Sequence, residues 1–475
     1  MQNIIIYSHQ LFENNELIKN DSNCTVYLIE HPHFFTKYNF NINKKVYHKA
    51  TTLFYKDYLK KKYKKIKLTY VNYKDYDKIK KKLYKLDINI YDPIENELID
   101  ELNNYKSANI FQTKMFLFNK EDLEKFHSNH KTYLMNTFYV YGRKKFNLFI
   151  NPDNTPYFGK WSFDKDNRNK FPKDYTEKIT KYQNKYVIKA CDYFNVDIND
   201  LHCWLPITFK EVYKFFSEFI SKKLENFGHY EDAISKNITI GNHSVLSSVI
   251  NIGMLTPLSI IEKIKKLENK KNFKLIYNSI EGFVRQILGW REYMRYVYIY
   301  EYNNMIKNTL KHTNRIKNFD NIKSDIKIVD DTLKKIYKNG WIHHIERLMI
   351  IGNYFFLCEI HPDDVYRFFY EKVCLDAYDW VMVGNVYGMS QYASKTKICS
   401  KPYFCSSNYL LKMSDYKKED WCYTLDCLFY NFIKNHYSLL KSNYSTSVMT
   451  NIYDKNENVN EMTKYAKKYI STHFK

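Results

Sequence analysis

Several absences bound what this 475-residue chain can be. No uninterrupted apolar stretch approaches the roughly 18 residues a spanning helix requires. The amino terminus, MQNIIIYSHQLF, has a short apolar run and no basic flank. Neither a membrane span nor a signal peptide is expected. Cysteine is scattered over positions 24, 191, 203, 358, 374, 399, 405, 422 and 427, an odd number with no CxxC. That argues against a disulfide framework and for reduced thiols in an intracellular protein. Glycine numbers only 11, and none makes GxGxxG, so a dinucleotide fingerprint is excluded. Arginine is rarer still, at eight residues, yet Arg285, Arg291 and Arg295 fall within eleven positions.

What is present describes a packed protein with a polyanionic partner. A hydrophobic fraction of 44% and an aromatic fraction of 18% exclude general disorder. The length accommodates two or three domains. A formal net charge of +22 points to nucleic acid before a membrane surface. The excess of Lys, Asn, Ile and Tyr also matches the codon usage of an A/T-rich genome. Charge therefore favours a nucleic-acid partner without establishing one.

The chain reads as three regions. Residues 1–120 alternate short apolar runs (Ile4–Tyr7, Thr25–Ile29, Ile66–Tyr70, Ile88–Tyr91) with Lys-rich amphipathic stretches at Tyr55–Lys65 and Tyr76–Tyr84. That alternation predicts an α/β unit with a doubly wound parallel sheet. Residues 121–205 form a connector rich in Asn, Asp and Pro, which favour turns. Residues 206–475 are helical in pattern and form the larger, all-α domain.

Within that domain, Glu281–Tyr298 carries two stripes at helical spacing. Phe283, Ile287, Trp290, Met294 and Val297 make an apolar one; Glu281, Arg285, Leu288, Glu292 and Arg295 make a mostly charged one on the opposite side. The expectation is a helix lying on a core with its charged face outward. Arginine in a chain that otherwise uses lysine suggests a planar donor for carboxylate, phosphate or a stacked ring; internal pairing with Glu281 and Glu292 is the alternative. Upstream, Ile240–Ser248 places Gly, Asn and hydroxyls ahead of an apolar helix. This is either an anion site or an ordinary N-cap. Downstream, His343 and His344 project about 100° apart on a helix, which makes them poor co-ligands for one metal.

These segments together resemble a known family. RQILGWREYMR (285–295) resembles the flavin-domain signature of the photolyase–cryptochrome superfamily, in particular the photolyase-related branch that includes the iron–sulfur bacterial cryptochromes and (6-4) photolyases. So do Trp161-Ser162-Phe163-Asp164 with Asp166-Asn167-Arg168 and Pro172, FGHYEDA (227–233), GWIHHIERLM (340–349), DAYDWV (376–381) and MSDY (413–416). The resemblance implies an α/β amino-terminal domain, in which HPHFFT (31–36) opens a region that can hold an antenna chromophore, and a helical domain that binds FAD. It implies FAD contacts at Tyr230, His243, Ser244, Val245, Leu246, Ser247, Arg285, Asn353, Asp376, Ala377 and Asn385. It places Gln286 and Trp290 at damaged bases, Arg291 with Arg285 near phosphates, and His344 as proton donor assisted by His343. The implied activity is light-dependent repair of UV-damaged DNA by reduced FAD, of (6-4) or cyclobutane photoproducts, in a monomeric intracellular protein. A flavin photoreceptor without repair is the alternative.

The sequence departs from that family twice. Two ligand positions of the [4Fe–4S] cluster hold Ile328 and Lys417, leaving Cys422 and Cys427. Two thiolates cannot bind a cubane, so no cluster is expected. Phe368 or Phe369 and Asp320 stand where relatives have tryptophans that carry an electron to the flavin; an alternative route through tyrosines stays open.

Overall fold

The amino-terminal apolar runs pair in parallel. β1 (Gln2–Tyr7), β2 (Cys24–Ile29), β3 (Lys67–Val71), β4 (Asp87–Tyr91) and β5 (Ser107–Phe111) stand in the order β3-β2-β1-β4-β5. The chain thus starts mid-sheet and winds outward both ways, with Ile4 opposite Val26 and Ile88 opposite Ala108. Helices α1 (Ile42–Lys62), α2 (Tyr76–Leu83) and α3 (Asn96–Leu102) connect the later strands. The computed structural model describes residues 2–19, 23–163, 169–202 and 204–475. Asp164, Asp166, Asn167 and Arg168 of the connector motif, and Cys203, lie outside the described residues.

Two differences from the sequence reading have physical causes. The fifth strand was not expected: it lies at the sheet edge, and its Ile110 and Phe111 are 48% and 37% exposed. The other edge strand, β3, is mostly half-buried and reads as an apolar run, whereas four of the five β5 residues are exposed and no such run stands out. Helix α1 begins at Ile42, well before Tyr55, because its first half is buried through polar side chains. Lys49 donates to Glu30 at 2.5 Å and lies 3.9 Å from the Tyr193 ring centre. A buried ion pair reads as surface in a hydropathy pattern.

Among the described residues every strand precedes residue 112, and the remainder is helical. The carboxyl-terminal ends of the strands back onto these helices. The Leu11 amide donates to the Ile252 carbonyl at 2.8 Å, and the Asp379 amide to the Glu95 carboxylate at 3.0 Å. The sheet thereby fixes the segments around residues 250 and 379.

The long helix α4 runs through Tyr277–Val284, Arg285–Arg291 and Glu292–Met305, its middle segment widened to a π-helix. Its charged stripe does not face water, contrary to expectation. Glu281, Arg285, Glu292 and Arg295 are all buried. Glu281 pairs with Arg285 at 3.4 Å and accepts from the Tyr139 hydroxyl and the Phe163 amide. Glu292 accepts the amides of Leu117 and Phe118, while Arg295 donates to the Phe118 carbonyl at 2.9 Å. Residues 117–118 and Phe163 of the connector cover this face and supply backbone partners where water would otherwise be.

Candidate active site

Four stretches, with Phe227, Glu231, Asp232 and Asp376 beside them, line a cavity of about 270 Å³. Helix α4 supplies Gln286, Ile287, Trp290, Arg291 and Met294; the loop before Ser247–Ile250 supplies His243 to Ser247. The segment after helix α5 (Lys327–Asn339) supplies Trp341 and His344 to Leu348, and residues 380–390 close the fourth side. Gly340 ends α5 in a left-handed conformation (φ 65), which turns Trp341–His344 out of the helix and into the cavity wall. Three walls are π-helical: Arg285–Arg291, Glu346–Gly352 and Gly384–Ser390. Such turns cluster at functional sites because the widened ring re-aims side chains. The second and third touch closely at Gly352, where a Cβ would stand 2.4 Å from the Ser390 hydroxyl oxygen.

Asp376 is the polar centre. One Arg347 guanidinium nitrogen reaches its two carboxylate oxygens at 2.9 and 3.1 Å. The Ser247 hydroxyl donates to it at 2.8 Å and the Trp341 indole N–H at 3.3 Å, while the Asn251 amide donates to its backbone carbonyl. Arg347, Trp341 and Asn251 were not singled out from sequence. Arginine's rarity could have found Arg347, which lies inside the quoted HHIER element.

His243, His343 and His344 form a neutral cluster. His243 and His343 stack with ring centres 4.9 Å apart, and burial holds both imidazoles well below the usual histidine range. Behind them Lys335 donates to Glu346 at 2.7 Å, and His343 Nε2 lies 3.5 Å from the other Glu346 oxygen. His344 is enclosed by protein yet exposed toward the cavity. Burial, with Arg347 adding repulsion, pulls it down to about 4. Val245 adopts φ 52, a left-handed conformation that a β-branched residue accepts only under constraint.

The sequence-derived residues separate into two groups. His344, His243, Ser244, Val245, Leu246, Ser247, Asp376, Asn385, Gln286, Trp290 and Arg291 line the cavity. Tyr230, Arg285, Asn353, Ala377 and His343 do not. Tyr230 stacks on Phe171 with ring centres 5.7 Å apart. Asn353 exchanges two hydrogen bonds with the Cys405 backbone. Ala377 is buried and its carbonyl accepts from Lys44 at 2.9 Å. Gln286 donates to Glu231 at 2.7 Å. Arg291 is an internal cross-link: it donates to the Met115 carbonyl and Asn251, and lies over the Phe116 and Trp380 rings at 4.2 and 4.9 Å. Burial lowers it to about 9.

Among the described residues, the positions where the resemblance puts the cluster's thiolates do not supply four of them. Ile328 is buried in the core, Cys422 and Cys427 sit on one helix (Trp421–Asn435), and position 417 is lysine. Among the described residues no three His, Cys, Asp or Glu side chains are grouped to hold a metal ion.

Comparison with known proteins bears on this geometry. A family model described as deoxyribodipyrimidine photo-lyase-related protein matches residues 4–196. A (6-4) photolyase of Agrobacterium fabrum is 31% identical over 382 residues, covering 75% of this chain and 74% of that protein. A bacterial class III photolyase from Agrobacterium tumefaciens superposes with a TM-score of 0.54 at 11% identity, covering 85% of this chain and 82% of that one. A Synechocystis cryptochrome superposes with a TM-score of 0.52 at 13% identity, covering 87% and 88%. At such identities the two structures speak for the fold, an α/β sheet followed by helices. The relative that spans three quarters of both sequences speaks for descent, and the chain belongs to the photolyase-related branch of the photolyase–cryptochrome superfamily.

Proposed function

We propose that this protein is a light-dependent DNA repair lyase that uses reduced FAD to reverse UV-induced pyrimidine photoproducts, the (6-4) type first. The observation that carries the reading is the convergence of His344, Gln286 and Trp290 on the cavity that also holds the Asp376–Arg347 pair.

The wall fits a flavin. His243 Nε2 and Trp380 Nε1 are buried polar atoms on lining residues with no hydrogen-bond partner among the described residues. Buried polar atoms left in this state ask for a ligand. Asp376, Arg347, Asn385 and the run His243–Ser247 would hold FAD. When bound and reduced, it supplies one electron on absorbing blue light. Ile287, Met294, Leu348 and Val386 line the same cavity and exclude water from it. Trp290, half-buried, offers a ring face to an extruded base, and the Gln286 amide offers a donor and an acceptor to its edge. Damaged bases stack poorly, which lowers the cost of extrusion. His344 faces the space such a base would enter, and its role is to deliver a proton to the oxygen transferred between the two pyrimidines.

The test is blue-light repair of an oligonucleotide carrying one defined (6-4) photoproduct, with chemically reduced flavin and a His344→Ala control. The expected result is restored thymines with the parent protein, and loss of repair in the variant with FAD still bound. Repair of a cyclobutane dimer alone would change the substrate. No repair of either would leave the photoreceptor reading.

A further inference from the structure

Residues 169–177 form a strap over the loop that feeds the cavity wall, and its grip centres on one carboxylate. Glu177 accepts the backbone N–H groups of Thr239, Ile240 and Gly241 at 2.7, 2.8 and 2.7 Å. Three consecutive amides converging on one anion make a backbone nest of the kind that otherwise binds phosphate. Here the chain supplies the anion itself. The strap is secured at three further points. The Asn169 amide donates to the His229 carbonyl at 3.1 Å, the Tyr175 hydroxyl to the Asn242 side chain at 3.4 Å, and Phe171 stacks on Tyr230. Phe171 also covers Gly241, where a Cβ would stand 2.7 Å from its ring.

The loop so held continues directly into His243–Ser247, which line the cavity and include the left-handed Val245. A strained residue keeps its conformation only when its surroundings over-determine it. The amides of 239–241 go to the strap, while the Ile238 carbonyl one residue earlier accepts from Lys335 of α5 at 2.7 Å, so Glu177 holds three consecutive amides at the entrance to that turn.

We propose that Glu177 is a positioning residue for the cofactor: by saturating the 239–241 amides it fixes the base of the turn that presents Ser244–Ser247 to the phosphate-bearing part of a flavin dinucleotide. This rests on the FAD reading above. Glu177 touches neither cofactor nor substrate. Its effect reaches the ligand through the loop.

The proposal separates ligands that carry phosphate from those that do not. Full-length apoprotein is titrated with FAD and with riboflavin, for the parent chain and for Glu177→Ala, Glu177→Gln and Glu177→Asp. Charge-assisted hydrogen bonds are the strong ones, so Glu177→Ala should weaken FAD binding by about tenfold or more. Riboflavin binding should change by less than about twofold, since riboflavin carries no phosphate for Ser244–Ser247 to hold. Glu177→Gln should fall between, and Glu177→Asp should recover part of the loss. Amide exchange across 239–247 should speed up in Glu177→Ala while the helices keep their protection. Equal weakening of both ligands, or no weakening of either, overturns the proposal. If the parent chain binds no flavin, the FAD reading fails by itself. Exchange across 239–247 then decides: faster exchange upholds the latch, and unchanged exchange sinks it.

Discussion

At the scale of the residue, Asp376 and His344 carry the consequences. Asp376→Ala leaves Arg347, whose side chain is 16% exposed, without its carboxylate. Stripping one partner from a buried pair costs about 3 kcal/mol. The variant should therefore show a lower denaturant midpoint and reduced flavin content on purification, both absent in a control at exposed Lys178. His344 has a sharper signature. An imidazole held near 4 is almost wholly neutral at pH 7, so little of it can serve as an acid. Repair with reduced flavin should become faster as pH falls from 8 toward 6, with the slope lost in His344→Ala. A flat profile in the parent chain would remove His344 from the proton-donating role. Of the residues the sequence points to, some stand on the cavity and some do not. The His344, Gln286 and Asp376 side chains reach the cavity. Asn353 and Ala377 occupy matching positions, but one is turned toward Cys405 and the other is closed off by Lys44. A motif aligns the backbone and leaves the rotamer to packing.

At the scale of the element, β1 to β4 were legible as apolar runs, the half-buried edge strand β3 among them, and the mostly exposed edge strand β5 was not. The charged stripe of α4 was legible as a stripe, yet its environment was not. Periodicity records that Glu281, Arg285, Glu292 and Arg295 share a side, and is silent on whether water or the 115–118 and 161–163 backbone satisfies them. The close approach of Glu346–Gly352 to Gly384–Ser390 gives a direct test. Gly352→Ala introduces a methyl 2.4 Å from the Ser390 hydroxyl and 2.7 Å from the Arg347 carbonyl oxygen. Overpacking of this kind costs about 1–3 kcal/mol. Pairing it with Ser390→Ala should recover only part of the loss, because the Arg347 carbonyl is backbone and cannot retreat. Full recovery in the double variant, read from denaturation midpoints, would show that only the hydroxyl constrains the contact.

At the scale of the whole molecule, buried neutral histidines contribute to the response to acid. Burial lowers His9 and His312 each to about 4 from an ordinary 6.5. The unfolded chain takes up these protons first, so their contribution is fully present above 6.5 and is lost as pH falls toward 4. Asp379 works the other way: burial, with Glu95 close by, raises it to about 6, and it favours the folded state as pH drops through that value. Burial raises Glu30, Glu292, Glu346 and Asp426 as well, and these act with Asp379, so the histidine contribution is read by substitution, as the part of any fall in Tm between pH 6.5 and 4.5 that one histidine carries. The fall should be shallower in His312→Phe, which lies outside the cavity; an identical fall would assign acid sensitivity elsewhere. The net charge of +22 acts over longer range. Affinity for undamaged duplex should decline steeply with salt, while discrimination between damaged and undamaged duplex should decline much less, since phosphate contacts carry no lesion information.

The π-helical walls have a consequence of a different kind. A π turn is a helix that has taken in one residue beyond its usual ladder, and each of three cavity walls carries such a surplus. Removing one residue within Arg285–Arg291 would let that stretch relax to α-helix at almost no cost to its own hydrogen bonds. The two flanking halves of α4 would keep their relative rotation, because the widened turn absorbs the residue that would otherwise set them about 100° apart. The change would fall on the turn itself, which carries Gln286 and Trp290 on the cavity wall, while every remaining side chain kept its identity. The shape of this site is therefore written partly in the number of residues between fixed points, and a single in-frame deletion can undo it where most substitutions would not.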